Sequence, residues 1–293
     1  MTDKLALYEN QLNTLIDLAL EEDIGGGDIT SESLIPADLR AKTTLLAKGD
    51  GVLAGIDLAK LVFIKVDPEL KFKVLLKDGT VLNSGDIIAT VTGNARSLLK
   101  AERVALNFLQ KLSGIATQTA EYVALIGDLP VEILDTRKTT PGMRLLEKYA
   151  VSMGGGRNHR FNLSDGMLIK DNHLATLRAH GMTLKEIVAK AKECAPAGIK
   201  VEVEVTNLKE VREAVAAKAD IIMFDNMSPA KMCAAVKLVP SGIMTEASGN
   251  INFQTVRDVA ETGVNFISIG ALTHSPKALD ISLEFEPIKP KRK

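Results

Sequence analysis

The chain is predicted to be an α/β protein, a C-terminal parallel βα barrel preceded by a smaller α+β domain with an open sheet. Three observations carry that prediction. Short apolar runs begin at Val201, Ile221, Ile243 and Val264 and so recur every 20 to 22 residues, the length of one βα unit. Helix-start signals stand between runs of this kind. The first hundred or so residues have a different texture, in which alternating segments are joined by glycine-containing turns.

In chain order, residues 9 to 22 carry Leu12, Leu15, Ile16 and Ala19 at helical spacing, and Gly25-Gly26-Gly27 stops that helix. Arg40 to Lys48 alternates like a strand, Lys71 to Leu76 reads as a second and Ile87 to Val91 as a third, with Lys77-Asp78-Gly79-Thr80 and Asn83-Ser84-Gly85-Asp86 as turns. The stretch from Asp78 to Val91 looks like half of a biotinyl or lipoyl carrier domain. It has no modifiable Lys at a hairpin tip, so it is read as sheet without a prosthetic group. From Ser97 to about Ile126 the pattern turns helical, and the domain boundary is placed at residue 112, giving an α+β domain over 1–112 and a barrel over 113–293, whose last fifteen or so residues are free to pack back on the first domain.

Six apolar strands follow: Val131 to Leu134, Met167 to Ile169, Val201 to Val205, Ile221 to Phe224, Ile243 to Glu246 and Val264 to Ile269. Thr140 before Pro141, Thr183-x-x-Glu186 as a capping box and Ser228 before Pro229 mark helix starts. Nearly continuous apolar strands indicate a parallel sheet, and six βα units favour a barrel. A doubly wound sheet is the alternative, but no Gly-x-Gly-x-x-Gly follows the first strand.

At 293 residues, 46% apolar and 25% charged, the chain is long enough for two domains and has a globular composition. Cys194 and Cys233 lack metal or redox spacing, fit a reducing compartment, and are expected in the core. Met1-Thr2-Asp3-Lys4-Leu5 carries an early acid and no apolar leader, and no apolar run approaches the ~20 residues of a membrane span, so a cytoplasmic protein is expected. A sequence pI near 6.5 argues against nucleic acid as the main partner, and no membrane partner is expected.

Against that near-neutral balance, Asp135 to Arg160 packs six Lys/Arg and one His into about two dozen residues. Clustered cations repel unless something anionic belongs between them, so the cluster is read as awaiting a polyanionic ligand. A solvated basic helix face is the plainer account, but Arg137-Lys138 and His159-Arg160 sit in loops. In a barrel, ligands meet the C-terminal strand ends. Those ends carry Asp135-Thr136-Arg137-Lys138, Lys170-Asp171-Asn172-His173, Glu204, Asp225-Asn226, Glu246-Ala247-Ser248-Gly249-Asn250 and Gly270-Ala271. Ser248-Gly249-Asn250 and Gly270-Ala271 follow the last two strands, where barrels bind phosphate through uncovered backbone N–H groups, although glycine there is also simply a turn former. Glu204 and Asp225 need hydroxyls, a metal or cations to offset burial, and a structural ion pair with Lys170 is the bland alternative. A phosphorylated sugar with Mg²⁺ answers both, since Mg²⁺ takes one or two carboxylates, directly or through its waters, plus substrate phosphates.

With these residues in view the chain resembles quinolinate phosphoribosyltransferase, also called nicotinate-nucleotide pyrophosphorylase (carboxylating), a type II phosphoribosyltransferase. The likeness runs over nearly the whole chain. It rests on Gly27-Asp28-Ile29-Thr30, Gly51 to Gly55, Ala101-Glu102-Arg103 to Phe108, Ser113-Gly114-Ile115-Ala116-Thr117, Thr136-Arg137-Lys138-Thr139-Thr140-Pro141-Gly142, Gly154-Gly155-Gly156 with His159-Arg160, Leu168 to His173, Glu202-Val203-Glu204-Val205 and Glu246 to Gly249. The resemblance implies transfer from 5-phosphoribosyl-1-pyrophosphate to quinolinate with decarboxylation, giving nicotinate mononucleotide, pyrophosphate and CO₂ for de novo NAD biosynthesis, with Mg²⁺ required. It implies that Arg137, His159, Arg160 and Lys170 hold quinolinate, that Thr136 belongs to the substrate-binding set and that Lys138 lies by the pyrophosphate. Lys138, Lys170, Glu204 and Asp225 are then the catalytic set. Glu204 and Asp225 face ribose hydroxyls and metal, and Ser248, Gly249, Asn250, Gly270 and Ala271 hold the 5-phosphate. Arg103 is implied to come from a neighbouring subunit, which makes a homodimer, or a higher even oligomer with shared sites, the functional unit. The rivals are a βα-barrel sugar-phosphate isomerase or aldolase using Lys170, which leaves Arg137, His159 and Arg160 without a dicarboxylate, and a non-catalytic binding relative, which would be expected to have lost several of these cations.

Overall fold

The computed structural model describes residues 9–287; the Met1 to Leu5 segment lies outside the described residues, as do 288–293. The chain divides into two compact units. The first runs to Gln118 and takes in Leu145–Gly154 and the chain from Pro276, and the second comprises Thr119–Arg144 and Gly155–Ser275.

The first unit opens with α1 (Glu9–Ile24), which buries Leu12 and Ile16 and ends before the three glycines. In α2 (Ile29–Leu34) the Asp28 carboxylate caps the helix by accepting from Ser31 N at 2.9 Å. The main sheet is antiparallel and contains β1 (Arg40–Ala47), β3 (Lys71–Val74), β5 (Ile87–Asn94) and β12 (Ile281–Pro287) in the order β12-β1-β5-β3, while β2 (Gly51–Val52) pairs with β4 (Val81–Leu82). On β1 the alternation expected from sequence buries Ala41, Thr43, Leu45 and Ala47.

Besides the short α2, β2 and β4, two longer elements of this unit went unread in the sequence. One is α3 (Ile56–Val66), which buries Ile56, Leu58, Ala59, Val62 and Phe63. Its outer face carries only three polar residues, Asp57, Lys60 and Lys65, a sparse mark in so short an apolar segment. Its first turn is fixed by Asp78, whose Oδ1 accepts from Ile56 N at 3.0 Å while Oδ2 accepts from the Tyr149 hydroxyl at 2.6 Å. Burial raises the Asp78 pKa in spite of these hydrogen bonds. The other is β12, whose alternation over Ile281-Ser282-Leu283-Glu284-Phe285-Glu286 is a strand signal that was passed over; it pairs with β1 from Ala41↔Pro287 to Ala47↔Ile281, a partnership across most of the chain length.

Helix α4 (Ala95–Ile126) leads from the first unit into the second. After β6 (Glu132–Leu134), the predicted helix start at Thr140-Pro141 is a turn instead. Met143 N–H bonds Thr140 O at 3.0 Å, and α5 (Arg144–Met153) begins after it.

The sheet of the second unit is parallel, with β6, β7 (Met167–Ile169), β8 (Val201–Val205), β9 (Ile221–Asp225), β10 (Met244–Ser248) and β11 (Phe266–Ser268) in the order β6-β11-β10-β9-β8-β7. Every later strand lies beside its sequence neighbour, and the last pairs with the first through Ser268↔Leu134. That order winds the sheet into a barrel with one seam, between β6 and β7. Arg157 occupies the seam as a one-residue strand: its N–H bonds Ile133 O at 2.8 Å, its C=O accepts from Asp135 N at 3.2 Å, and its guanidinium reaches Glu132 Oε2 at 2.6 Å. Around the sheet run α6 (Asp171–Ala179), α7 (Leu184–Cys194), α8 (Leu208–Ala216), α9 (Pro229–Val236), α10 (Val256–Ala260) and α11 (Ala271–His274). Thr183 and Glu186 form the expected capping box at α7, and Pro229 opens α9 after Ser228. The cysteines depart from expectation. Cys194 ends α7 and Cys233 lies on the outer face of α9, and both are exposed thiols rather than core residues.

In β8 all five residues are buried. Strand alternation sends Val201, Val203 and Val205 to the face opposite Glu202 and Glu204, and burying each valine contributes about 1.5–3 kcal/mol.

Within the first unit, α4 passes so close to the chain near Lys277 that a Cβ added at Gly114 would lie 2.0 Å from Lys277 O and 2.9 Å from its carbonyl carbon. Neither backbone atom can yield cheaply. Gly114→Ala is expected to destabilise the protein by about 2–3 kcal/mol in urea unfolding, whereas Gly26→Ala, with open space around its Cβ, should change it by less than ~0.5 kcal/mol.

Candidate active site

The inward face of the barrel is where the chemistry collects. Glu202 and Glu204 from β8, Asp225 from β9, Glu246 and Ser248 from β10 and Ser268 from β11 follow the same alternation, with apolar Ile222, Ala247 and Ile267 on the opposite face. Glu202, Glu204, Glu246 and Ser268 are buried, and Ser268 Oγ donates to Glu246 Oε1. A cavity of about 380 Å³ is lined by inward residues that include Leu134, Met167, Glu202, Ile221, Glu246 and Phe266.

The seam segment brings its cations to this face. Asp135, fully buried after β6, accepts from His159 N at 2.9 Å through Oδ1 and from Asn158 Nδ2 at 2.7 Å through Oδ2. The His159 ring turns inward, its Nε2 3.3 Å from Glu202 Oε2 and 3.6 Å from Glu246 Oε1. On its other side Nδ1 accepts from Arg160 N at 2.8 Å, which leaves the ring proton on Nε2. Arg160 is half-buried and donates from Nη1 to Gly166 O at 2.9 Å. Burial and the neighbouring Arg137 guanidinium press its pKa below the usual value, with Glu202 and Glu204 opposing. Arg137 is also half-buried, and its Nε is shielded from solvent with no hydrogen-bond partner. Two guanidiniums held together with a donor unspent describe a place for an anion.

The remaining strand ends complete a rim. Lys170 precedes α6, where its N–H bonds His173 Nδ1 at 2.9 Å and its Nζ lies 2.7 Å from Glu204 Oε1; Asp171 N approaches the other Glu204 oxygen at 3.3 Å. The ion pair that a structural account expects is therefore present. Asp225 accepts from Asn226 Nδ2 at 2.9 Å. Lys138 is exposed; its N–H bonds Thr136 Oγ1 at 3.0 Å, its C=O accepts from Thr273 Oγ1 at 2.7 Å, and its stem lies against Gly270, the residue before Ala271. The loops after β9 and β10 interlock: Asn226 N bonds Ser248 O at 2.9 Å, and Asn250 Nδ2 donates to Asn226 Oδ1 at 2.9 Å. Asn226 and Asn250 both take left-handed backbone, and Gly249 (φ 92°) lies where a Cβ would be 2.3 Å from Asn226 Oδ1. Only glycine fits there.

The barrel unit thus assembles Thr136, Arg137, Lys138, His159, Arg160, Lys170, Glu204, Asp225, Ser248, Gly249, Asn250, Gly270 and Ala271. Arg103 is exposed on α4 and belongs to the other unit. The sequence reading missed Glu202, Glu246 and Ser268 as inward-facing partners and Asp135 as the anchor of the His159 loop. The signal for Glu202 was available, since Val-Glu-Val-Glu-Val places both acids on one face.

Comparison with known proteins identifies the family. The family model described as quinolinate phosphoribosyl transferase, C-terminal domain, matches residues 115–284, and that described as quinolinate phosphoribosyl transferase, N-terminal domain, matches residues 28–113. A Bacillus subtilis (strain 168) relative is 47% identical over 274 residues, covering 94% of this chain and 93% of its own. A Nicotiana tabacum relative named quinolinate phosphoribosyltransferase [decarboxylating] 2b, mitochondrial, is 44% identical over 291 residues, covering 94% of this chain and 82% of its own. The crystal structure of NadC from Streptococcus pyogenes superposes with a TM-score of 0.90 at 44% identity, over 95% of this chain and 98% of that one. With both domain models matched in order and relatives this similar along nearly its full length, the chain belongs to the quinolinate phosphoribosyltransferase family.

Proposed function

We propose that this protein transfers the phosphoribosyl group of 5-phosphoribosyl-1-pyrophosphate to quinolinate and decarboxylates the product, forming nicotinate mononucleotide for de novo NAD biosynthesis. The observation that carries the reading is the paired Arg137 and Arg160 with the buried, unpartnered Arg137 Nε. Quinolinate brings two adjacent carboxylates, which match planar guanidinium donors. In this reading Arg137, Arg160, Thr136 and Lys170 bind quinolinate, with His159 acting from behind Arg160. Lys138 neutralises the leaving pyrophosphate, and the interlocked loops at Ser248–Asn250 and Gly270–Ala271 receive the 5-phosphate on backbone N–H groups.

The chemistry asks for charge in the right places rather than for a protein nucleophile. As the bond to pyrophosphate breaks, the anomeric carbon gains oxocarbenium character, which the Glu204 and Asp225 carboxylates stabilise while the quinolinate nitrogen adds. Departure of CO₂ then leaves an electron pair on the ring carbon beside the newly cationic nitrogen, and a proton completes the product. Glu204 and Asp225 offer the hard oxygen donors that Mg²⁺ prefers, so they would hold it directly or through water, and the ion would supply charge neutralisation to the donor's pyrophosphate.

The enzyme is proposed to work as a homodimer or higher even oligomer with Arg103 of one chain in its neighbour's site, which suits an arginine left exposed on α4. The exposed thiols Cys194 and Cys233 suit a reducing compartment, and we place it in the cytoplasm. Among the described residues no helix is long and apolar enough to cross a membrane.

Quinolinate-dependent release of CO₂, requiring the pyrophosphate donor, tests the activity directly; a purified protein that releases none has another function. Arg137→Ala and Arg160→Ala are each expected to weaken quinolinate binding by about 2–5 kcal/mol in calorimetric titration, with Arg→Lys restoring only part. Glu204→Gln and Asp225→Asn should lower turnover more than quinolinate affinity. Full turnover in both at saturating Mg²⁺ and donor would leave Glu204 as a structural partner of Lys170. For the shared site, mixing inactive Arg103→Ala and Lys170→Ala chains under exchange should restore roughly a quarter of wild-type activity, because half of the dimers are mixed and half of their sites intact. Exchanged but inactive mixtures would place Arg103 in its own chain's site or outside any site.

A further inference from the structure

We infer that Glu202 and Glu246 are positioning residues for the quinolinate pocket, fixing the His159 ring from the inner wall of the barrel and, through the His159–Arg160 link, the setting of the Arg160 guanidinium. The inference rests on the reading of Arg160 as a quinolinate ligand. The His159 loop is held at two points that face different ways. Asp135 takes the His159 backbone N–H at 2.9 Å, and the two glutamates face Nε2 at 3.3 and 3.6 Å, so neither the ring nor its backbone can swing without losing a charged acceptor. Arg160 N–H then donates to Nδ1 at 2.8 Å, which ties the next residue to the ring's orientation.

The same three side chains stand at metal-ligand spacing, their ligand atoms within 4.8 Å of one another. The hydrogen bond from Arg160 decides against a metal. A neutral imidazole has one lone-pair nitrogen, and a ligating histidine normally donates from its other nitrogen. Here Nδ1 already accepts, so Nε2 carries the proton and faces the carboxylates as a donor.

Stability does not explain the arrangement. Two carboxylates side by side in the barrel interior, one with a buried oxygen lacking any hydrogen bond, are less favourable than apolar side chains of the same size. Burial and the nearby Glu202 charge push the Glu246 carboxyl well above the usual range, and the Ser268 hydroxyl opposes that by donating to it. What the cluster supplies instead is a single ring orientation beneath the arginine pair.

The test compares steady-state kinetics and histidine ring ¹⁵N spectra of the wild-type enzyme with Glu246→Leu, Glu246→Gln and Ser268→Ala. Glu246→Leu is expected to raise the quinolinate KM at least tenfold while the KM for the phosphoribosyl donor stays within twofold, and Glu246→Gln, which keeps an acceptor, should recover most of the loss. The His159 signal, assigned by its disappearance in His159→Gln, should show the proton on Nε2 alone in wild type and a tautomer mixture in Glu246→Leu. If Glu246→Leu does not fold, Ser268→Ala, which removes only the hydroxyl donor to Glu246, should raise the quinolinate KM about threefold. An unchanged quinolinate KM in the folded variant read, equal effects on both substrates, a wild-type proton on Nδ1, or a stoichiometric divalent ion lost with Glu246 would each overturn the inference. Arg160→Ala with a wild-type quinolinate KM would instead sink the assignment of Arg160, leaving the ring measurement to stand by itself.

Discussion

Carboxylates buried on the inward face of a parallel barrel set the terms for everything around them. Strand β8 is committed by its valines, which must pack outward, so Glu202 and Glu204 are forced inward whether or not that is comfortable. Each acid then has to be answered by another element. Lys170, at the end of β7, answers Glu204, and the His159 loop answers Glu202 and Glu246. The seam between β6 and β7 is what allows the second answer, because a loop can enter a sheet only where two strands are not paired.

The result is a layering of charge. Acids lie along the strands, and cations sit at the strand ends and in the seam. Arg160 is repelled by the Arg137 guanidinium and attracted by Glu202 and Glu204, while the buried Arg137 Nε stays unspent. Ligand binding at such a place relieves an existing repulsion. The loops after β9 and β10 complete the rim by a different principle, that of backbone conformation: Asn226, Gly249 and Asn250 all take positive φ, and each holds its neighbour there.

Much of the barrel was legible because its signals are local. The βα spacing, the Thr183 capping box and the Ser228-Pro229 start depend on residues a few positions apart, and they stand where expected. The strand ends could be listed as a candidate site for the same reason, since the barrel rule needs only the order of elements. Errors came where apolar content replaced period. Helix α3 marks its outer face with only Asp57, Lys60 and Lys65 in a short apolar segment, and Cys194 and Cys233 were assigned inside on residue type although their helix positions face out.

The sequence by itself determined the order of elements, the composition of each strand end, and, through its motifs, the family. Only the tertiary structure decided which charges meet. That His159 faces Glu202 and Glu246, that Asp135 fixes its backbone, that Glu204 is taken by Lys170, and that β12 completes the first sheet all depend on contacts between residues far apart along the chain. Local propensity acts over a few residues, whereas burial and hydrogen bonding act wherever the fold brings groups together, and the partner of a buried charge is therefore a property of the fold.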